Sequence, residues 1–363
     1  MSEERTWRDF DWPLLALTLT IAILGVVEIY SATRSTQWQD AYLRQMLWIG
    51  VGLGLMWLVS SVDYHWLVEQ APAFLWIAVG GLVLIALFGP VINGSQRWLP
   101  IPGLPNLQVS EFVKVVLILL VARNLSGIPR ERLSPRVLGK TIAMFGVVFF
   151  LVMRQPDLST SLSYLPILAM GVFLAGLRWK HVAIVAVVAA LLAPVAWTVM
   201  PEYQKERLTA FLEPEKDPRG KGYQSLQSKI AVGAGGVWGR GFARGSQTQL
   251  RFLPEAQTDF IFASYAEEAG FVGVAIAMTL YFALLMKIVN NAQTAADAAG
   301  MHICMAVAAV LLFHIVVNIG MVVNKMPVTG IPLPLMSYGG SNTFTTFLML
   351  GLVNNVRLRR FAN

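Results

Sequence analysis

Long apolar blocks separated by short polar connections dominate this chain, and most are about as long as a helix that crosses roughly 30 Å of hydrocarbon. They fall at residues 13–32, 44–61, 71–90, 109–123, 138–153, 158–176, 180–200, 258–287, 299–323 and 338–356, about ten spans. Backbone amides in lipid must be satisfied within the segment, so these spans are expected to be helices. The pattern lapses once, between residues 201 and 257, where polar and apolar residues mix. The expected fold is an all-α polytopic membrane protein with about ten transmembrane helices and a long structured loop between the seventh and eighth. One membrane domain covers 1–363: seven helices in 1–200, the loop in 201–257 and three helices in 258–363.

Composition agrees, since 56% of the 363 residues are hydrophobic and only 13% charged, too few charges to cover a soluble body of this size. Basic residues set the orientation. Arg5, Arg8, the cluster Arg123 to Lys140, Arg178, Lys180, Lys287, Arg357, Arg359 and Arg360 lie in alternate connections, and the opposite short loops carry fewer. Positive charge is retained inside. Both termini of this multi-pass protein are therefore expected in the cytoplasm and the 201–257 loop outside it. The net charge of +7 is then a topology signal, with no case for nucleic acid. The lone Cys304 excludes an intrachain disulfide.

The loop contains Gly233, Gly235, Gly236, Gly239 and Gly241, but no strand precedes them and no Lys with Ser or Thr follows in the phosphate-loop pattern. A tight, membrane-hugging loop fits better, because glycine serves where backbone turns sharply. Arg244 and Arg251 follow it, suited to an anionic headgroup or equally to lipid phosphate.

The sharpest candidate chemistry lies where the loop becomes the eighth span. Asp259 stands at the start of that helix, at the aqueous rim, where the helix dipole favours an ionised carboxylate. It could serve as a base, or Thr258 or Asp259 could simply cap the helix. Glu267 falls about 80° around the helix from Asp259 and Glu268 on the opposite face, so neither pairs with it directly. Glu111 and Lys114 are three apart on one helix face and can pair, either as an active-site couple or as a neutralised structural one. Asp157 follows Pro156 at a helix start, where capping competes with catalysis. His302 and His314 lack a partner at a metal-binding offset and read as helix-contact residues. Three prolines within 327–334 forbid a regular helix. The segment leading through Ser337 to Ser341 should therefore line a cavity or form a re-entrant connector.

Taken together, Arg97-Trp98-Leu99, Gln108-Val109-Ser110-Glu111 with Lys114, Gln155-Pro156-Asp157-Leu158, Gln227-Ser228-Lys229-Ile230, Phe252-Leu253-Pro254-Glu255, Thr258-Asp259-Phe260 and Pro332-Leu333-Pro334 with Ser337-Tyr338-Gly339-Gly340-Ser341 resemble the SEDS family (shape, elongation, division and sporulation). The motifs span nearly the whole chain in the family's order, and Gln227 to Ile230 and Ser246 to Leu250 look more like its rod-shape branch than its division branch. The resemblance implies a peptidoglycan glycosyltransferase that polymerises lipid II on the outer face of the membrane, beside a class B penicillin-binding protein that crosslinks the product. It places the catalytic aspartate at Asp259 and sensitive positions at Arg97, Trp98, Glu111, Lys114 and Asp157. Substrate contacts are further expected from Lys229, Arg244, Arg251, Ser337 and Ser341. The chain departs from the family pattern at Val109, Asn106 and Gln257, so no basic contact is expected near Asn106 and no role for Gln257.

Displacing a lipid diphosphate from an anomeric carbon by a sugar hydroxyl needs one ionised carboxylate as base and positive charge at the leaving group. A divalent cation such as magnesium or manganese could assist by bridging phosphate oxygens with few protein ligands. The rival reading is a lipid II flippase or proton-coupled transporter, which would also show broken helices and intramembrane charges.

Overall fold

The computed structural model describes residues 10–91, 96–99, 106–127, 134–176, 183, 187, 191, 197–198, 200, 202–213 and 220–360. The chain is a multi-pass membrane protein. Its described residues form helices and one isolated bridge, Leu99 to Leu107. The helices are α1 (Trp12–Thr33), α2 (Ala41–Ser61), α3 (Tyr64–Glu69), α4 (Ala71–Phe88), α5 (Val109–Leu125), α6 (Pro135–Arg154) and α7 (Leu158–Leu162). They continue with α8 (Tyr164–Leu174), α9 (Glu202–Leu212), α10 (Lys221–Gly235), α11 (Ser246–Gln249), α12 (Ile261–Gln293), α13 (Ala298–Val322) and α14 (Gly340–Leu358).

Six of these, α1, α2, α4, α6, α12 and α13, are long and apolar enough to cross a membrane. The residues of the expected fourth and tenth spans form the helices α5 and α14, buried and carrying several polar side chains. The expected sixth span divides at Ser163 into α7 and α8, and most of the expected seventh lies outside the described residues.

The bundle has two ends. At one, the start and finish of the chain meet: Asp11, fully buried, pairs with Lys287 at 3.2 Å and Arg357 at 3.5 Å and receives a bond from Asn291, while its amide donates to Asn354. We call this the terminal face. The other, the loop face, carries α9, α10 and α11. Arg34 at the end of α1 reaches Gln249 and the Ala243 carbonyl there.

The long helix α12 is broken at Gly270, whose φ of 64° is left-handed. The segment after α10 repairs the break. Arg240 and Gly241 amides donate to the Glu267 and Glu268 carbonyls, and the Phe271 and Val272 amides donate to Gly236 and Val237. Irregular backbone in a membrane helix persists only when its polar groups find such partners. A Cβ on Gly270 would stand 2.2 Å from the Gly239 nitrogen, so both positive φ and close approach demand glycine. Three buried carboxylates fix the same joint. Glu267 accepts from the Gln247 and Thr248 amides, Glu268 from Ser31 and the Ala243 amide, and Glu28 from Ser264.

Candidate active site

A cavity of about 450 Å³ opens at the loop face where the starts of α5, α7, α12 and α14 converge. Each helix start leaves several amides without intrahelical acceptors and carries partial positive charge. Three of the four have an acid at that point.

At α5 the acid is Glu111, in the first turn, bound to Lys114 at 2.8 Å. Lys114 is buried behind it, with its ammonium 3.4 Å from His314 Nε2. His314 Nδ1 lies 3.3 Å from the Pro332 carbonyl, which fits donation there and leaves Nε2 to accept from the lysine. At α7, Asp157 caps the helix, accepting from the Thr160 amide at 3.2 Å and its hydroxyl at 2.9 Å. It also accepts from Gln108 and faces Arg97 at 3.7 Å. The Arg97 guanidinium lies 5.7 Å from the centre of the Trp98 ring, and both residues border the cavity.

Asp259 lies in the turn before α12. The cap position itself is Phe260, whose side chain makes no capping bond. The backbone of this turn is held at three successive carbonyls. Gln257 accepts from the Tyr338 amide at 2.9 Å, Thr258 from the Ser337 hydroxyl at 2.7 Å and Asp259 from Asn318 Nδ2 at 2.9 Å. Asn318 also donates to the Ile331 carbonyl, so the proline-broken segment and the Asp259 turn form one unit. A Cβ on Gly330 would stand 3.3 Å from Asp259 Oδ2, and Gly330 has a φ of 76°. Glu255 and Arg207 complete this side, Arg207 donating from α9 to the Thr329 carbonyl.

The model of the FtsW/RodA/SpoVE cell cycle proteins matches residues 11–361. The chain belongs to this family. It is 36% identical over 355 residues to the peptidoglycan glycosyltransferase MrdB of Escherichia coli K12, covering 96% of this chain and 94% of that one. Against the peptidoglycan glycosyltransferase RodA of Treponema pallidum it is 31% identical, covering 97% and 98%. The fold matches a chain from a peptidoglycan synthase complex that coordinates polymerization and crosslinking, with TM-score 0.85, 32% identity and coverage of 98% and 99%. It also matches the rod shape determining protein RodA of Thermus thermophilus, with TM-score 0.73, 29% identity and 98% coverage of each chain.

In this FtsW/RodA/SpoVE chain the cavity brings together Asp259, Arg97, Trp98, Glu111, Asp157 and Ser341. Lys114 reaches it only through Glu111. Ser337 does not line it, because its hydroxyl is taken up between the Thr258 carbonyl and the Leu333 amide. The Ser341 hydroxyl accepts from the Gln108 amide and donates to Asn106, tying α14 to α5. Lys229, Arg244 and Arg251 lie outside the cavity with exposed side chains. The packing of α10 and the following loop against α12 turns them away, which linear proximity to Asp259 could not show. Sequence reasoning missed Arg207, Asn318 and Asn342. Arg207 sits among Lys205 and Glu206 in a run that reads as solvated, and the two asparagines carry no charge to mark them.

Proposed function

We propose that this protein is a peptidoglycan glycosyltransferase that polymerises lipid II at the outer face of the bacterial cytoplasmic membrane, with Asp259 as general base and the lipid diphosphate as leaving group. The observation that carries this reading is the anchored Asp259 turn, which aims one carboxylate into a cavity at the loop face. Asp259 takes the proton from the acceptor sugar's hydroxyl as its oxygen attacks the anomeric carbon of the donor, and the bond to the diphosphate breaks with inversion. Diphosphate is already a good leaving group, so no paired glycosidase-type acid is needed. Arg97 and Arg207 border the cavity and oppose the charge that develops on the departing group. Trp98 orients Arg97 by lying against it.

The four carboxylates bordering the cavity outnumber its two arginines, and Lys114 offsets only Glu111. An anionic cavity that must accept a diphosphate suits a divalent cation, magnesium or manganese. Among the described residues no cluster of three metal-ligating side chains exists. Glu255, which borders the cavity, would supply the hard oxygen donor such an ion prefers. When bound, the ion would supply charge neutralisation at the diphosphate.

The two chain ends meet at the terminal face, which we assign to the cytoplasm, consistent with the basic residues there. Rod elongation is the role we favour, beside a class B penicillin-binding protein. Replacing Asp259 with Asn keeps the shape but removes the base, and should lower lipid II turnover by about 10² to 10⁴ with thermal stability and partner binding retained. Normal glycan synthesis by purified D259N would overturn the assignment. If labelled lipid II crossed vesicles without polymer forming, the carrier reading would replace it.

A further inference from the structure

We propose that the start of α14, from Gly339 to Asn342, is the subsite that holds the substrate's lipid-linked diphosphate; this rests on the glycosyltransferase reading and deepens it. α14 is 19 residues long and has neither a side-chain cap nor an acid in its first turn. Its Thr343 amide closes the first bond of the helix, onto the Gly339 carbonyl at 3.0 Å. The amides of Gly340, Ser341 and Asn342 meet no acceptor among the described residues, and these residues border the cavity. Such an end attracts anions through its dipole and its free donors.

The independent observation is Asn342. The residue is 7% exposed, it borders the cavity, and its Nδ2 has no hydrogen-bond partner among the described residues. A buried donor left in this state is destabilising unless something supplies an acceptor. Arg97 Nε, bordering the same cavity, is likewise buried and unpartnered. The Ser341 hydroxyl is committed to α5, so the donors gathered here are three backbone amides, Asn342 Nδ2 and Arg97 Nε, with Asn342 Oδ1 beside them as an acceptor. A Cβ at Gly339 would meet nothing within 4 Å, leaving room for a bulky group to approach the backbone.

Donors that outnumber acceptors in this way favour a ligand rich in acceptors. Sugar hydroxyls both donate and accept, whereas the ionised oxygens of a diphosphate only accept. The acids at the other three helix starts would repel that group, and two of them, Glu111 and Asp157, are answered by Lys114 and Arg97. The diphosphate is therefore drawn to the one start without an acid, while Asp259 faces the sugar.

The test uses the full chain in detergent, with farnesyl diphosphate and inorganic pyrophosphate as probes and lipid II turnover measured on the same preparations. Asn342→Asp places a like charge at the helix start and should weaken both probes, and raise KM for lipid II, by about 10- to 100-fold. Asn342→Leu removes an unpartnered buried donor, so it should hold or raise the melting temperature while weakening the probes about tenfold. If the Asp variant does not fold, the Leu variant carries the test. Tight farnesyl diphosphate binding with weak pyrophosphate binding would mark the lipid-linked form as the ligand, and equal binding would assign the site to diphosphate of either source. Probe affinities within twofold of wild type in a folded variant would overturn the subsite, as would a wild-type enzyme that polymerises lipid II yet binds neither probe. A wild-type protein that binds both probes but makes no polymer would overturn the glycosyltransferase reading instead.

Discussion

The Lys114 ammonium, 1% exposed, has Glu111 on one side and His314 on the other. Removing one member of such a pair leaves an uncompensated buried charge, so Lys114→Met should cost about 3–5 kcal/mol of stability. Adding Glu111→Gln should return much of that loss. Because Glu111 borders the cavity, the double variant should regain its melting temperature and remain inactive on lipid II; recovery of both would remove the pair from the chemistry. Asn318 acts at one remove. It touches only backbone carbonyls, one of them that of Asp259, and is a positioning residue. Asn318→Ala should lower kcat by on the order of 10² by letting the base drift, with KM nearly unchanged and the pH profile the same as in wild type. A fall in KM-dependent binding alone would contradict this role. At this scale the sequence spoke through charge: Asp259, Glu111, Asp157 and Arg97 stood out because ionisable groups are costly beside apolar helices. Asn318 and Asn342 have no such contrast, and their part in the site depends on which backbone folds opposite them.

The apolar blocks located most helices, since each must satisfy its own backbone in lipid. They could not show that α12 is broken, because a helical apolar pattern continues on both sides of Glu267, Glu268 and Gly270. The break is legible only when the Gly236 to Gly241 segment is seen to bond across it. That segment was expected to be a tight, membrane-hugging loop; its backbone lies along α12 and completes that helix's hydrogen bonds. Gly270→Ala would drive a Cβ into the Gly239 backbone and force a left-handed conformation on a residue that resists it. It should cost about 1–3 kcal/mol from the conformation alone, and more from the clash, read as a lower melting temperature in detergent. Gly54→Ala, at a glycine of α2 where a Cβ would meet nothing within 4 Å, should be neutral or better by the same measurement. Equal losses at the two positions would mean that the strap does not need its close approach.

Across the whole molecule the two faces divide the work, the loop face holding the cavity and the terminal face tying the chain together. His65 belongs to the second. It bridges Asp63 and Asp297, each at 2.9 Å, at the junction of α3 and α13. Partial burial opposes its charge, but the bonds and charges of the two aspartates outweigh this and hold its pKa above the ordinary imidazole value. A raised pKa means stability that is fully present below about 6.5, the unfolded value, and lost as pH rises through the folded one. The pair is half exposed, so the effect should be only about 0.2–1 kcal/mol. Melting temperature should fall slightly between about pH 6 and 8 in wild type and not in His65→Gln; a parallel fall in both would assign the dependence elsewhere. The positive-inside pattern made the placing of both ends at one face legible, but not the lock between them. Apart from the nearby Leu14 amide, every bond or ion-pair partner of the Asp11 side chain among the described residues comes from Lys287 or later. During synthesis the first helix therefore enters the membrane with an aspartate whose counter-charges have not been made. Until the last helix emerges from the ribosome that carboxylate must stay at the water interface, so its burial is a closing event of biogenesis. A chain that stops short of Asn354 would be left with an open seam at α1 that a membrane protease could recognise.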